Sequence, residues 1–336
     1  MTDKPDGERT TSSSLPPGPT LAAEPGVLQR RLAAGEFAVT AEIGPPRGAD
    51  TAPVSRKAAA LRGWVDAVNI TDNQSAAVRL SSLAGSLTAL AAGVEPIMQL
   101  TCRDRNRIAL QSELLSASAL GVRNVVIMTG DHPRHGDHSD ATPVFDLNST
   151  QLLRVATDMR DRGHLMSGGE LKPPPSWFLG AVENPPNRPA DDGSGPAEQD
   201  AFERATYRLA TKIEAGAQFV QTQFVFDVPV FAQWMRRICD LGLAERCSIL
   251  AGAGPIRSQR ALAHLATIPG VVIPDEVSDR LGAAAPDQFR TEGEKLCAEI
   301  IAGLTEVPGV AGVHVMAIGA ETSIPAILQL AGVPPR

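Results

Sequence analysis

Cysteine and lysine are scarce, positive charge is outnumbered, and no long apolar run is present. The four cysteines, Cys102, Cys239, Cys247 and Cys297, form no CxxC pair and no disulfide-framework spacing. This is the usage expected of a reducing, cytoplasmic compartment. The five lysines, Lys4, Lys57, Lys172, Lys212 and Lys295, fall at no predicted strand end, which argues against Schiff-base chemistry. Apolar runs are broken by Gly, Pro or charge well before the roughly 18 residues a membrane span needs, and no basic stretch leads into an apolar one at the N-terminus. With 31 Lys+Arg against 38 Asp+Glu, the net charge of −7 speaks against a general nucleic-acid binder. A GxGxxG turn, a GxSxG elbow and a P-loop are all missing, which removes the commonest dinucleotide, hydrolase and NTP-dependent readings.

What remains is an ordinary globular composition, 43% apolar and 21% charged over 336 residues, enough for one large domain. Residues 1–25, rich in Pro, Ser, Thr and Gly, have no apolar periodicity to offset ordering entropy and read as a disordered tail. Residues 26–336 form the folded domain. A helix is expected from near Pro25, with Leu28, Leu32 and Ala33 at helical spacing and Gly35 as its stop.

Eight β-rich runs follow: Phe37–Ile43, Val65–Thr71, Pro96–Thr101, Asn124–Thr129, Trp177–Val182, Phe219–Gln223, Ser248–Ala251 and Val313–Ile318. Amphipathic helical stretches such as Arg107–Leu120 and Phe202–Ala215 separate them. Eight alternations predict an α/β fold, a single (β/α)8 TIM barrel. Runs such as Val125-Val126-Ile127-Met128, apolar on both faces, suit strands covered by helices outside and filled inside. An open doubly wound sheet competes, but Pro45-Pro46-Arg47 after strand 1 cannot form the glycine turn of a dinucleotide site. Two long loops, Asp131–Asn148 and Asn184–Gln199, follow strand ends on the rim where barrel enzymes carry their sites.

Polar residues at those strand ends are the candidates: Glu42, Thr71, Asp72, Gln99, Thr101, Asp131, Asn184 and Gln223. Glu42 lies in an apolar context, so desolvation should raise its pKa and make it a usable general acid; pairing with Arg47 is the structural alternative. Asp131, after Thr129-Gly130, could tune a planar ligand or merely cap its loop through an Asx turn. Gln221 and Gln223 share one side of their strand, and an amide there suits a heterocycle with mixed hydrogen-bonding edges or is simply a satisfied buried glutamine. His132, His135 and His138 lie in a Pro- and Gly-containing loop that aligns no imidazoles, so no metal site is expected. Arg103, Arg105 and Arg107 could meet phosphate or form a salt-bridged rim with Asp104. Gly252 and Gly254, with Gly319, stand where many barrels bind a substrate phosphate.

Taken together, Ala41-Glu42-Ile43-Gly44-Pro45-Pro46-Arg47, Val68-Asn69-Ile70-Thr71, Leu100-Thr101-Cys102-Arg103-Asp104-Arg105-Asn106, Thr129-Gly130-Asp131 and Ile213-Glu214-Ala215-Gly216-Ala217 with Thr222-Gln223-Phe224-Val225-Phe226-Asp227 resemble the methylenetetrahydrofolate reductase family, in its order and over about residues 27–332. The Leu-Thr-Cys-Arg-Asp-Arg-Asn form resembles the subgroup of acetogens or of fusions to homocysteine methyltransferases.

The resemblance implies a flavoprotein barrel in which NADH or NADPH reduces a flavin and is then replaced by 5,10-methylenetetrahydrofolate. It implies Glu42 as the acid for folate N10, Asp131 as the acid beside the flavin and folate, and Gln223 as the amide that contacts folate and nicotinamide in turn. Thr71, Gln99, Thr129, Gly130, Phe145, Asp146, Asn184 and Lys212 would contact the flavin, with Lys212 near the diphosphate of FAD. Gln259 would lie against the folate, where the family often has Phe. Gln99 replaces a frequent His and Ala320 a frequent Arg. The segment 200–211 is poor in diphosphate-facing polar residues, so FMN or a flavin-free reaction stand beside FAD. Methyltetrahydrofolate oxidation, a homo-oligomer or an electron-transfer partner subunit are further expectations. The competing readings are a phosphate-binding barrel lyase or isomerase and a noncatalytic folate-binding subunit.

Overall fold

The computed structural model describes residues 24–186, 196–268 and 270–336. Eight parallel strands close on themselves in chain order: β1 (Ala38–Ile43), β2 (Ala67–Ile70), β3 (Pro96–Thr101), β4 (Asn124–Met128), β5 (Phe178–Glu183), β6 (Phe219–Phe224), β7 (Ser248–Ala253) and β8 (Val310–Val315). Closure comes from β8 lying beside β1, with Ala38 opposite Gly312 and Thr40 opposite His314. The helices are α1 (Val27–Ala33), α2 (Ala52–Leu61), α3 (Ser82–Ala91), α4 (Arg107–Ala119), α5 (Ser149–Asp161), α6 (Pro196–Glu214), α7 (Val228–Asp240), α8 (Gln259–Leu265), α9 (Asp275–Ala283), α10 (Phe289–Thr305) and α11 (Ile324–Leu330). The chain is a (β/α)8 barrel. The N-terminal tail, apart from its last two residues, lies outside the described residues.

Local chemistry sets the helix starts. Asn106 Oδ1 accepts from the backbone N–H groups of Ile108 and Ala109 at the start of α4, and Asn148 with Gln151 closes a reciprocal capping box on α5. Asp227 caps α7, whose Pro229 sits in the first turn where no N–H is needed. α1 has no cap of its own. Glu95, just before β3, supplies it by accepting from Val27 and Leu28 N–H, and Leu28 plugs the N-terminal end of the barrel.

The inward side chains form layers. At the bottom Leu28, Ala38, Ala67, Ile97, Val126, Phe178, Phe219 and Leu250 make a separate apolar cluster. The rings of Phe178 and Phe219 stack there at 4.9 Å, and Gly180 leaves room for Phe219, whose ring carbons lie 2.4–2.7 Å from where a Cβ would stand. Full burial of a side chain such as Phe219 is worth about 1.5–3 kcal/mol. Outside the strands, a second cluster joins the barrel to its helices.

Most expected elements agree within two residues at each end, and two depart by more. The last strand runs over Val310–Val315, not Val313–Ile318. Its Gly312 is no breaker, because the Ala38 carbonyl oxygen lies 2.3 Å from where a Cβ would be, so only glycine permits β1 to approach that closely. Helix α6 begins at Pro196 and absorbs the end of the expected Asn184–Gln199 loop, of which residues 187–195 lie outside the described residues.

Candidate active site

Glu42 is the fifth residue of β1 and points inward at the C-terminal mouth. Its Oε2 accepts a hydrogen bond from Gln99 Nε2 at 3.1 Å and faces His314 Nε2 at 3.9 Å. The Glu42 side chain retains 17% exposure, so the carboxyl group reaches the mouth while its donors sit deeper. Arg47, its alternative partner from sequence, turns instead to Asp137 at 3.7 Å.

Below Glu42 lies a polar layer that the sequence reading did not assemble. Thr40, Asn69, Gln221 and His314 project inward from β1, β2, β6 and β8 and are almost wholly buried. Asn69 Nδ2 donates to Gln221 Oε1 at 2.6 Å, and Gln221 Nε2 returns a bond to Asn69 Oδ1 at 3.0 Å. Gln221 Nε2 also lies 3.1 Å from Thr40 Oγ1 and 3.3 Å from His314 Nδ1. The signal was available: alternation places Thr40, Asn69 and Gln221 two residues before the candidates Glu42, Thr71 and Gln223, on the same faces.

Around the mouth, Thr71 donates its hydroxyl proton to Gln74 Oε1, and Asp72 is buried against Thr101, accepting from its N–H and hydroxyl at 2.9 Å. The expected cationic rim is paired. Arg103 forks onto Asp104, Arg105 onto Asp72 and Arg107 onto Asp146, and bidentate pairs of this kind favour carboxylate over a free anion. The Arg107 side chain and backbone N–H groups hold the Asp146 carboxyl down at about 2. Arg103 also reaches the Asp131 carbonyl at 3.4 Å, while the Asp131 side chain is exposed.

Gly130 has φ of +86°, and an added Cβ would stand 2.9 Å from Thr101 Cβ. Glycine therefore lets the end of β4 approach Thr101 and Arg103 closely, just before Asp131. Thr129 is exposed and donates to Ser149 Oγ at 3.1 Å. Phe145 is half-buried with φ of +39°, and its ring lies 6.2 Å from that of His132. Three residues of the loop after β2 also take positive φ, Asn73, Ser75 and Ala76, a concentration of backbone strain at the mouth that is typical of functional loops.

Gln223 is half-buried; its Oε1 accepts from the Phe224 N–H, which leaves the amide nitrogen for a ligand. Lys212 is held inward: its Nζ donates to Glu183 Oε2 at 2.5 Å and to the Val182 carbonyl at 2.6 Å, and Arg208 binds the other carboxylate oxygen at 2.8 Å. Asn184 packs against Gly270, and Gln259 is exposed at the start of α8. Glu42 and Gln99 are thus in direct contact, Gly130 abuts Thr101, and Asp146 and Lys212 are engaged by side chains of their own.

Gly252 and Gly254 form no open anion cradle. The carbonyl oxygens of Thr222 and Met316 lie 2.4 Å from where their respective Cβ atoms would stand, so these glycines serve close strand packing. Among the described residues no group of His, Cys, Asp and Glu is arranged to hold a metal, and no helix is long and apolar enough to cross a membrane.

The residues present fit the ring of a flavin. Gln99, Asp131 and the Gln223 amide nitrogen, at the ends of β3, β4 and β6, would offer it polar partners. The phosphate end finds the nearby cations Lys212 and Arg208 already bound to Glu183.

Comparisons with known proteins bear on the family and the fold. The profile of the family described as methylenetetrahydrofolate reductase matches residues 27–332. A Caenorhabditis elegans protein named as a probable methylenetetrahydrofolate reductase (NADPH) is 24% identical over 258 residues, covering 75% of this chain and 34% of that protein. Methylenetetrahydrofolate reductase 2 of Saccharomyces cerevisiae is 27% identical over 259 residues, covering 75% and 39%. The chain spans little more than a third of the length of these relatives. Among solved structures, a Clostridium thermocellum protein described as binding two copies of 5-methyl-5,6,7,8-tetrahydrofolic acid superposes with a TM-score of 0.62 at 14% identity, covering 89% of this chain and 97% of that one. That likeness shows the fold alone.

Proposed function

The chain belongs to the methylenetetrahydrofolate reductase family, and from that premise we propose that it reduces 5,10-methylenetetrahydrofolate to 5-methyltetrahydrofolate, with NADH or NADPH as hydride source and a flavin as carrier. The observation that carries the reading is Glu42 at the barrel mouth, contacted by the Gln99 amide at 3.1 Å and faced by His314.

Held at the mouth near Gln99, Asp131 and Gln223, a flavin would supply the hydride-transfer chemistry between nicotinamide and the folate methylene. The chain's own residues prepare the substrate. Glu42 donates a proton to folate N10, which opens the five-membered ring to an iminium at N5 that is electrophilic at the methylene carbon. The carboxylate left behind is stabilised by the Gln99 N–H and by the His314 ring. Gln223 presents its free amide N–H to the pterin or to the nicotinamide as each occupies the mouth, and Asp131 holds the pterin edge. Since both substrates need the same face, the nicotinamide leaves before folate enters.

The test is anaerobic. The purified protein, reconstituted with FAD or FMN, is titrated with NADH and NADPH, and methylenetetrahydrofolate is added afterwards. The expected result is bleaching of the visible flavin band and its recovery on folate addition. Failure to take up either flavin, or a band indifferent to both nicotinamides, overturns the flavin route.

A further inference from the structure

We infer that the Asn69–Gln221 pair acts as a tautomer lock on His314, keeping the imidazole proton on Nε2, the nitrogen that faces Glu42. The inference rests on the reading of Glu42 as the proton donor and adds two positioning residues beneath it.

Asn69 and Gln221 satisfy one another reciprocally, at 2.6 and 3.0 Å. This fixes the Gln221 amide plane and uses its oxygen. The Gln221 nitrogen still has hydrogen to give, and the polar atoms beyond Asn69 within its reach are Thr40 Oγ1 at 3.1 Å and His314 Nδ1 at 3.3 Å. Thr40 Oγ1 lies 3.0 Å from the same Nδ1 and 3.4 Å from the Val313 carbonyl oxygen. Its hydroxyl can accept from Gln221 and give its one proton to the nearer acceptor, the ring nitrogen. An N–H donor and a hydroxyl converging on Nδ1 make it an acceptor, so the proton of the neutral ring resides on Nε2.

The far side of the ring points to the same state. Nε2 faces Glu42 Oε2 at 3.9 Å, and the carboxylate that Glu42 becomes on giving up its proton favours a proton on the nitrogen opposite it. Of the groups reaching His314 from β1, β2, β6 and β8, Glu42 is the titratable one; Thr40, Asn69 and Gln221 are neutral, and the β7 residue in register with His314 is Gly252. The lock thus holds a hydrogen-bond donor ready for the Glu42 carboxylate that proton transfer leaves behind. With the opposite tautomer, a lone pair would face that carboxylate and oppose the transfer. An inward histidine surrounded only by apolar residues would have no such preference. Here all four members of the layer are at most 3% exposed, a burial at which each polar atom needs a partner.

The experiment reads the imidazole nitrogens directly. Full-length protein labelled with 15N-histidine is examined near neutral pH, with the His314 signals assigned by their loss in His314→Asn. The expected spectrum shows a protonated Nε2 and an unprotonated Nδ1. In Gln221→Met, which removes the amide at similar volume, the ring should populate both tautomers. The folate half-reaction should then slow about tenfold, the scale of one hydrogen bond to a charged group, while flavin reduction by nicotinamide keeps its rate. A proton on Nδ1 in the native protein, a doubly protonated ring at neutral pH, or an unchanged tautomer in Gln221→Met each overturns the lock. An unchanged folate half-reaction despite mixed tautomers overturns its catalytic role. The resting-state spectra are independent of turnover. Should Glu42→Gln slow both half-reactions equally, the assignment of Glu42 fails separately, and the lock is still judged by its nitrogen signals.

Discussion

Gln99 joins β3 to β1 at the barrel mouth by donating its amide N–H to Glu42 Oε2 across 3.1 Å. The bond orients the carboxyl group and fixes its Oε2 at the barrel mouth, as a group that must give up its proton at a defined place requires.

Replacing Glu42 with Gln keeps the shape of the side chain and removes the proton. The folate half-reaction should slow by at least about 10²-fold, the usual scale for general-acid catalysis, with flavin reduction by nicotinamide nearly unchanged. Stopped-flow measurement of the two halves checks this, and equal losses in both would make Glu42 structural.

Gly130→Ala should weaken flavin uptake and destabilise the fold together. The position has φ of +86°, and the new Cβ would meet Thr101 Cβ at 2.9 Å. Forcing such a backbone on an L-residue costs about 1–3 kcal/mol. Urea denaturation and a flavin-binding titration measure the two effects, and unchanged flavin affinity would remove Gly130 from the ring site.

Much of this site was legible because strands declare themselves by alternation and their polar ends by contrast. Glu42 and Gln99 interrupt apolar runs on neighbouring strand ends, and the fold brings them into contact. Lys212 was not legible in the same way. Its place near the mouth follows from the resemblance, but its partner Glu183 lies just past the expected strand Trp177–Val182 with nothing in the sequence to single it out. A sequence shows where a charge sits along a helix, not which carboxylate the next strand aims at it. The polar layer of Thr40, Asn69, Gln221 and His314 went unassembled for a related reason. Each member looks like an isolated polar residue until the closed barrel brings β1, β2, β6 and β8 around one axis. The last strand was displaced because Gly312 reads as a breaker unless the closeness of β1 is known.

Lys212→Met tests that partnership. The Glu183 side chain is 1% exposed, so removing its closest cation leaves a buried carboxylate served by Arg208 alone. Breaking a buried pair on one side costs about 3–5 kcal/mol, and the double variant Glu183→Gln/Lys212→Met should recover most of it. Denaturant midpoints decide. A loss below about 1 kcal/mol in the single variant, within the range of surface ion pairs, would show that the pair contributes little to the fold.

The thiols should be nearly silent toward alkylating reagents. Burial pushes Cys102 and Cys247 up to about 12, and raises Cys297 as well. The thiolate is the reactive form, so at pH 8 these three should react only after unfolding. Cys239 is partly accessible and should react first. A thiol titration with and without denaturant counts them, and rapid modification of more than one thiol in the native state would contradict the packing around β3, β7 and α10.

The Arg107–Asp146 pair makes a prediction about acid. The Arg107 guanidinium and backbone N–H hold Asp146 at about 2 in the folded chain, below the roughly 3.9 of an unfolded aspartate. A carboxyl group depressed by folding stabilises the protein fully above its unfolded pKa, and that contribution fades as pH falls from about 4 towards 2. Asp146→Asn should therefore be less stable than the native chain at neutral pH, with the gap in denaturant midpoint closing across that acid window. The Asp146 side chain keeps 27% exposure, so added salt should narrow the gap at neutral pH too. The pair also ties the loop before α5 to the start of α4, placing Phe145 at the rim. A gap that stays constant down to pH 2 would mean that Asp146 holds this loop by shape and hydrogen bonding, with its charge contributing nothing.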